Sequence, residues 1–285
     1  SVRIVDTHTN IVQIEKNWQV IFEDKTTSLE LKADHSALIM KQIWDFSQTV
    51  DIDDVKEILD RQITCNMAIA NEGIHNSYGA NIGHVILNMD SDCVKTRAKA
   101  YAAAGSDARM NGCELPVVIN SGSGNQGITC CVPVVVYAKE LDCTQEQLYR
   151  ALVLSNLTAI YIKTGIGTLS AFCGAVSAGA AAGAGIAYLH NGTYKEIQHT
   201  IVNALAILSG TICDGAKASC AAKIASSIDA GIMGYYMYKN KQQFYAGDGI
   251  IAHSVDETIQ NIGTLGSQGM LQTNDKIIEM MISCD

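Results

Sequence analysis

The sequence predicts a mainly α-helical fold that follows a small N-terminal region of mixed α and β structure. Two patterns lead to this prediction. Apolar and polar residues alternate over the first thirty or so positions, and apolar residues recur at helical spacing from residue 51 onward. With 285 residues, 48% of them hydrophobic, the chain can bury a large core. We expect residues 1–105 to form the small α+β region, with short strands and then helices, and residues 106–285 to form a helical domain.

The individual elements follow from local patterns. The stretches IVQIEK and WQVIFE alternate, and Asn17 between them predicts a hairpin or short meander. Asp51 is expected to cap the first long helix. Three later helix starts are marked by capping boxes, in which Ser or Thr is followed three residues later by Glu or Gln: Thr144 with Gln147, Thr193 with Glu196, and Ser254 with Glu257.

Composition and charge exclude several classes of protein. The uncharged stretch 164–194 is long enough to cross a bilayer, but it consists mainly of small residues, which favour close helix packing in a core over contact with lipid. No membrane segment is therefore expected. A net charge of −9 without a basic stripe argues against nucleic acid. Ten cysteines without a recognisable signal peptide are typical of a cytoplasmic protein, in which they serve as buried hydrophobes, metal ligands or reactive thiols.

A glycine-rich segment, INSGSGNQGITCC at residues 119–131, is the first candidate for a functional site. Gly122, Gly124 and Gly127 match the G-x-G-x-x-G dinucleotide-binding pattern, and the preceding LPVVI could form a strand, but no βαβ unit follows. The segment is also similar to the Ser-x-Gly-Asn loop of pyridoxal-phosphate enzymes, although no phosphate-binding cup is found. Two further interpretations stay open: an anion-binding turn at a helix start, and a turn needed only for close packing.

Three cysteines form the second candidate. Cys213 and Cys220 would share a face if CDGAKASCAAKIA is helical, and Cys173 lies earlier, beside the small-residue stretch. Three thiolates from two helices can hold an iron–sulfur cluster and leave its fourth iron open. The spacing alone also fits cysteines that are simply buried in the core.

The sequence around these cysteines carries a resemblance to a known family. SGSGNQGI, FCGA, a Gly/Ala-rich helix and ICDGAK followed by a cysteine occur in this order, together with DARMNG at residues 107–112. The chain resembles the iron–sulfur L-cysteine desulfidases, which are relatives of the α-chain of bacterial iron–sulfur L-serine dehydratases. The resemblance covers most of the chain and is strongest over residues 105–225.

The resemblance implies a carbon–sulfur lyase with a [4Fe–4S] cluster bound by Cys173, Cys213 and Cys220. It implies conversion of L-cysteine to pyruvate, ammonia and sulfide, with L-serine as the alternative substrate. Lys217 is expected either to supply a counter-charge or to be a solvated helix residue. The residues expected to hold the substrate carboxylate are Ser121, Gly122, Ser123, Asn125 and Gln126, with Lys217 beside them.

The chain departs from the family at one point. Desulfidases carry an N-terminal Gly-Cys-Thr-Glu-Pro motif whose cysteine is the expected base, and this sequence has no such motif. The catalytic base is therefore unassigned, and the chain is expected to be a C-terminal portion. A non-catalytic structural or interaction domain is the alternative to a lyase. Expected partners are a small amino-acid substrate and either a second copy, in a homodimer, or the N-terminal segment. Cys284 is a further candidate, because related dehydratases cover the open iron with a C-terminal cysteine.

Overall fold

A computed structural model describes residues 1–4, 11–24 and 34–283. The fold is mainly helical with a small three-stranded antiparallel sheet near the N-terminus, which confirms the predicted fold class. The chain divides into two compact units, Ser1–Ala37 and Leu38–Asp285. The functional division predicted between residues 105 and 106 stays a prediction.

The first unit contains the sheet. Its strands are β1 (Val2–Ile4), β2 (Ile11–Lys16) and β3 (Gln19–Glu23), paired in the order β1-β2-β3. Asn17 and Trp18 join β2 to β3 with φ values of +52° and +66°, as a two-residue hairpin turn of primed type requires. The hairpin predicted around Asn17 is therefore confirmed.

The second unit is built from eleven helices in the part of the chain that the structure describes. A short π-helical turn, Leu265–Gly269, precedes the last of them. The helices are α1 (Met40–Thr49), α2 (Ile52–His75), α3 (Ile82–Met89), α4 (Val94–Met110), α5 (Gly124–Glu140), α6 (Gln145–Ile166), α7 (Gly174–Leu189), α8 (Tyr194–Ile207), α9 (Cys220–Lys239), α10 (Val255–Thr264) and α11 (Leu271–Ile282).

Local side-chain chemistry sets several of these helix starts. Asp51 accepts a hydrogen bond from the N–H of Asp53 and caps α2. All three predicted capping boxes form, with both reciprocal hydrogen bonds present, at the starts of α6, α8 and α10. These side chains satisfy N–H groups that have no partner within their own helix.

Two helices of small residues, α7 and α9, cross at the centre of the second unit. A methyl group built on Gly179 would collide with the backbone of Ser227, and one built on Gly183 would lie 2.6 Å from the carbonyl oxygen of Gly231. Both contacts advance by four residues along each helix, so the two helices run parallel and their N-terminal ends lie together. Within the described residues, no helix is long and apolar enough to cross a membrane.

Candidate functional site

The glycine-rich segment forms a tight turn that opens α5. Asn120 and Ser123 exchange backbone hydrogen bonds, while Ser121 and Gly122 between them have φ values of +48° and +76°. The side chain of Ser123 caps α5 by accepting from the N–H of Gln126. The LPVVI stretch before the turn forms no strand, so the dinucleotide-binding interpretation loses its structural context.

Side-chain amides from two other helices, α2 and α6, hold this turn. Asn66 on α2 accepts from the N–H of Val118 at 2.8 Å and donates to its carbonyl oxygen at 3.2 Å. Asn156 on α6 accepts from the side chain of Asn120 at 3.0 Å and from that of Gln62 at 2.8 Å. Asn66, Asn120 and Gln62 are buried and Asn156 is half-buried; because their hydrogen bonds are satisfied, these amides stabilise one conformation of the turn.

Gln126 connects the turn to the first of the three cysteines. A methyl group built on Gly174 would lie 2.7 Å from the amide carbon and nitrogen of Gln126, so this side chain packs against the start of α7. Cys173 is the residue before Gly174 and occupies the N-cap position of α7. The glycine turn and Cys173 are therefore neighbours, as the proposed site requires.

Backbone pairing brings Cys173 and Cys213 together. The N–H of Cys173 donates to the carbonyl oxygen of Thr211 at 3.1 Å, and the N–H of Cys213 donates to that of Ala171 at 2.6 Å. The two short segments thus pair in antiparallel fashion, and the two thiols hydrogen-bond to each other.

This hydrogen bond distributes charge between the two sulfurs. Accepting it from Cys173 lowers the pKa of Cys213 to about 6. Sharing the proton, together with burial, raises the pKa of Cys173. The interaction therefore favours one thiolate shared by the Cys173–Cys213 pair, and a thiolate is the form that binds metal.

The expectation that Cys213 and Cys220 share a helical face is wrong. The segment between them is not helical: Gly215 has a φ of +97°, and α9 begins at Cys220 itself. The parallel packing of α7 and α9 nevertheless brings Cys220 to the same end of the molecule as Cys173. Gly179 of α7 contacts Ser227 of α9. Cys173 lies six residues before Gly179, and Ala221, which follows Cys220, lies six residues before Ser227.

The donor chemistry fits an iron–sulfur cluster better than a single ion. In the described residues, no group of three or more His, Cys, Asp or Glu side chains could hold one metal ion. The cysteines of a [4Fe–4S] cluster each bind a different iron, so their sulfurs need not converge on one point. Two adjacent thiols and a third at the neighbouring helix start fit that requirement.

Two lysines supply positive charge to the cysteine pair. Lys163 on α6 is only 7% exposed, and no carboxylate of the described residues lies within ion-pair distance of it. Burial lowers the pKa of its ammonium group, while Cys213 and Cys173 act on it in the opposite direction. Lys223 on α9 donates to the carbonyl oxygen of Ile212 at 3.0 Å and pairs with Asp214.

Lys217, the expected counter-charge, lies in the segment before α9 and forms an ion pair with Asp214. Hydrogen bonds from Lys217 and Lys223 lower the pKa of Asp214 to about 2, so the two opposite charges of the Lys217 pair offset each other. Its assignment to the substrate carboxylate stays a prediction.

Sequence reasoning missed Arg109 and Lys163. Arg109, in the last turn of α4, has its Nη1 at 3.3 Å from Oδ1 of Asn125 and lies against Gly124. The DARMNG stretch contains Arg109, but by itself it indicated only the family resemblance and no role for this residue. Lys163 lies just before the FCGA stretch and had no motif of its own.

Among the remaining cysteines, Cys130 supports the glycine turn: its Sγ lies 3.5 Å from the carbonyl oxygen of Gly127 and 3.4 Å from Oδ1 of Asn156. Cys130 and Cys131 are fully buried in α5, and burial raises the pKa of both thiols, to about 12 for Cys130. All nine described cysteines are free thiols. The role expected for Cys284 concerns a residue outside the described part of the chain.

Comparisons with known proteins identify the family of the chain. The family model described as serine dehydratase alpha chain matches residues 9–279. A UPF0597 protein of Desulfitobacterium hafniense is 58% identical over 99% of the chain and 66% of its own length. UPF0597 proteins of Lachnoclostridium phytofermentans and Treponema denticola are 51% and 46% identical, over 99% and 98% of the chain and 68% and 67% of their own lengths. No solved structure is significantly similar to the chain. The chain thus spans about two thirds of the length of these relatives.

Proposed function

Because the chain belongs to the serine dehydratase alpha chain family, we propose that it is the cluster-binding part of an iron–sulfur lyase that acts on a small amino acid. The observation that carries the proposal is the meeting of Cys173 with Cys213 beside the glycine turn, with Cys220 at the adjacent helix start. L-Cysteine is the proposed substrate, and the products are pyruvate, ammonia and sulfide.

Cys173, Cys213 and Cys220 would hold the [4Fe–4S] cluster. When bound, such a cluster offers an open iron that acts as a Lewis acid on the leaving sulfur or oxygen atom. The starts of α7 and α9 carry Cys173 and Cys220, and the positive ends of both helix dipoles favour negative charge at these sulfurs. The positive charges of Lys163 and Lys223 also favour negative charge on the cysteine sulfurs.

The turn at Ser121–Gly127 would bind the substrate carboxylate. The N–H groups of Gly124 and Asn125 find no acceptor among the described residues, as is usual for the first turn of a helix, and they are free to donate to an anion. The hydrogen-bonded amides of Asn66 and Asn156 keep the turn rigid, which lowers the entropic cost of binding.

Elimination removes the Cα proton and breaks the Cβ–heteroatom bond. The electron pair of the C–H bond becomes the new double bond, and sulfur departs with the electrons of the C–S bond as sulfide. The resulting aminoacrylate tautomerises to an imine, which water hydrolyses to pyruvate and ammonia. By the family resemblance the base is a cysteine of a Gly-Cys-Thr-Glu-Pro motif, which this sequence does not contain.

Iron and sulfide content of the anaerobically purified protein tests the site. We expect Cys173→Ala, Cys213→Ala and Cys220→Ala each to lose most of the iron that the wild type holds. Cys143→Ala is the matched control, because Cys143 follows the far end of α5, roughly 25 Å from its start at 1.5 Å per residue. Equal iron in all four variants would rule out this set of ligands.

Product analysis separates the remaining alternatives. A desulfidase releases sulfide and pyruvate from L-cysteine, whereas an L-serine dehydratase, the activity for which the family is named, releases pyruvate from L-serine. A cluster-loaded protein that yields neither product would instead be a structural or interaction domain. Light scattering of the same sample tests the proposed homodimer. A cytoplasmic location is also proposed, since the nine described cysteines are free.

A further inference from the structure

Arg109 lies over the start of α5 without a carboxylate partner. A methyl group built on Gly124 would overlap the Nε atom of Arg109 and lie 2.9 Å from its Cδ, so the side chain of Arg109 fills the space that this glycine leaves. Its Nη1 lies 3.3 Å from Oδ1 of Asn125. In the part of the chain that the structure describes, Arg97 and Arg150 pair with carboxylates, whereas Arg109 pairs with none.

The positive charge of Arg109 adds to that of the α5 start, and together they favour a bound anion. The start of a helix carries a positive partial charge, and a cation placed there is repelled. The two residues that Arg109 contacts, Gly124 and Asn125, are also those whose backbone N–H groups have no acceptor among the described residues. A guanidinium group presents paired donors that match the two oxygens of a carboxylate.

A second and independent observation also indicates a ligand. The side chain of Gln126 is only 6% exposed, and its Oε1 has no hydrogen-bond donor among the described residues. Buried acceptors are nearly always satisfied, so this oxygen calls for a donor. Since the amide of Gln126 lies against Gly174, that donor would bind beside Cys173.

We propose that Arg109 binds the carboxylate of the amino-acid substrate and that Oε1 of Gln126 accepts a hydrogen bond from its ammonium group. The inference rests on the proposed function only in taking the ligand to be an amino acid. Arg109 is then the residue that selects substrates with a free carboxylate. With its two charged groups held at the start of α5, by Arg109 of α4 and by Gln126 of α5, the substrate has its side chain free to reach Cys173 and Cys213.

Calorimetric titration of the anaerobically purified protein tests this role without turnover. L-Alanine carries both charged groups but no leaving group, and L-alaninamide has nearly the same shape without the negative charge. We expect the wild type to bind L-alanine more tightly than L-alaninamide. Arg109→Met should weaken L-alanine binding by about 10- to 100-fold and abolish the preference, as the loss of one charge-assisted contact predicts. The affinity of Arg109→Lys for L-alanine should lie between those of the wild type and Arg109→Met.

Two further variants serve as controls. Arg97→Met removes an arginine that pairs with Asp92 and Glu140 at the surface and should leave both affinities unchanged. Gly124→Ala keeps Arg109 but displaces its guanidinium group, so it should weaken L-alanine binding even if Arg109→Met fails to fold, which circular dichroism would reveal.

The outcomes are distinct. Unchanged L-alanine binding in Arg109→Met overturns the inference. If Arg109→Met is unfolded, unchanged L-alanine binding in Gly124→Ala overturns it instead. A wild type that binds neither L-alanine nor L-alaninamide, or binds both equally well, also overturns it. An Arg109-dependent preference in a protein that releases neither sulfide nor pyruvate supports the inference while refuting the proposed lyase function. Lyase activity with an unchanged KM in Arg109→Met would support the proposed lyase function and refute the role of Arg109.

Discussion

Lys163 is a buried cation whose nearest charged groups are the sulfurs of Cys173 and Cys213. Removing an ammonium group from water is costly, and no carboxylate of the described residues offsets that cost. A thiolate at Cys213 is a natural counter-charge. Under the proposed function, the lysine would favour cluster binding at the expense of the stability of the metal-free fold.

Lys163→Met separates these two effects. Methionine has a similar length and no desolvation cost, so the free energy of unfolding of the metal-free protein should rise by about 1 kcal/mol. Iron retained per chain should fall, because the sulfurs lose a neighbouring cation. Urea unfolding and iron quantitation measure the two quantities. Lys41→Met, at an exposed lysine paired with Asp45, is the control and should change neither. A large loss of stability with normal iron content would contradict this role.

At the scale of the helices, sequence predicted best what local chemistry decides. The capping boxes at Thr144, Thr193 and Ser254 all form, because each involves residues only three positions apart. A shared face for Cys213 and Cys220 was expected only on the condition that the segment between them is helical, and it is not. What places Cys213 instead is the backbone pairing of Phe172 with Ile212, a contact between positions too far apart in sequence for periodicity to reveal.

The capping box of α8 predicts a specific pH dependence. Glu196 accepts from the N–H of Thr193 at 2.7 Å, and this hydrogen bond lowers the pKa of its carboxyl group. Because the folded-state pKa is the lower one, the stabilisation is fully present above the unfolded-state pKa and is lost as pH falls through the folded-state value. In Glu196→Gln the amide oxygen can still accept from Thr193, so the two proteins should differ by less than about 1 kcal/mol at pH 7.

Between pH 5 and 3 the wild type should therefore lose more unfolding free energy than Glu196→Gln, as urea titrations at several pH values would measure. Glu279→Gln, at an exposed pair with Lys276 on α11, is the control and should keep the acid slope of the wild type. Equal slopes for all three proteins would show that Glu196 does not contribute.

The crossing of α7 and α9 couples packing to the site. A methyl group at Gly183 would lie 2.8 Å from Cα of Gly231, so Gly183→Ala must push the two helices apart. We expect a loss of about 1–3 kcal/mol in unfolding free energy, together with reduced iron retention, because the helices carry Cys173 and Cys220 at their starts.

Gly210→Ala is the matched control, since no atom lies within 4 Å of a methyl group built there. Thermal unfolding and iron content of the two variants can be compared directly. If Gly183→Ala keeps the stability and iron of Gly210→Ala, the close approach of the helices is not what positions the cysteines.

At the scale of the whole molecule, the site gathers residues from five helices. Arg109 comes from α4, the glycine turn from α5, Lys163 from α6, and the cysteines from the starts of α7 and α9 and the segment between α8 and α9. The cysteines and the turn were recognisable from motifs. The two cations were not assigned, because their roles depend on which residues the fold brings near them.

The division into two units predicts where stability resides. The first unit, Ser1–Ala37, contributes none of the buried core among the described residues, and a three-stranded sheet without a buried face is marginal alone. Every candidate site residue lies in the second unit. A chain of residues 38–285 should therefore keep the urea midpoint, the slope and the iron content of the full chain.

Trp44 provides the probe for that comparison. It packs against Tyr188 and Tyr194 in the second unit, with ring centroids 6.0 and 5.9 Å apart, and it is the only tryptophan once Trp18 is replaced by Phe in the full chain. The double substitution Met40→Ala with Ile43→Ala is the positive control, because it keeps Trp44 while truncating two core side chains, and it should lower the unfolding free energy by at least about 2–5 kcal/mol, the cost of one lost core side chain. If removal of the first unit alone lowers the midpoint comparably, that unit stabilises the helical unit and the two do not unfold independently.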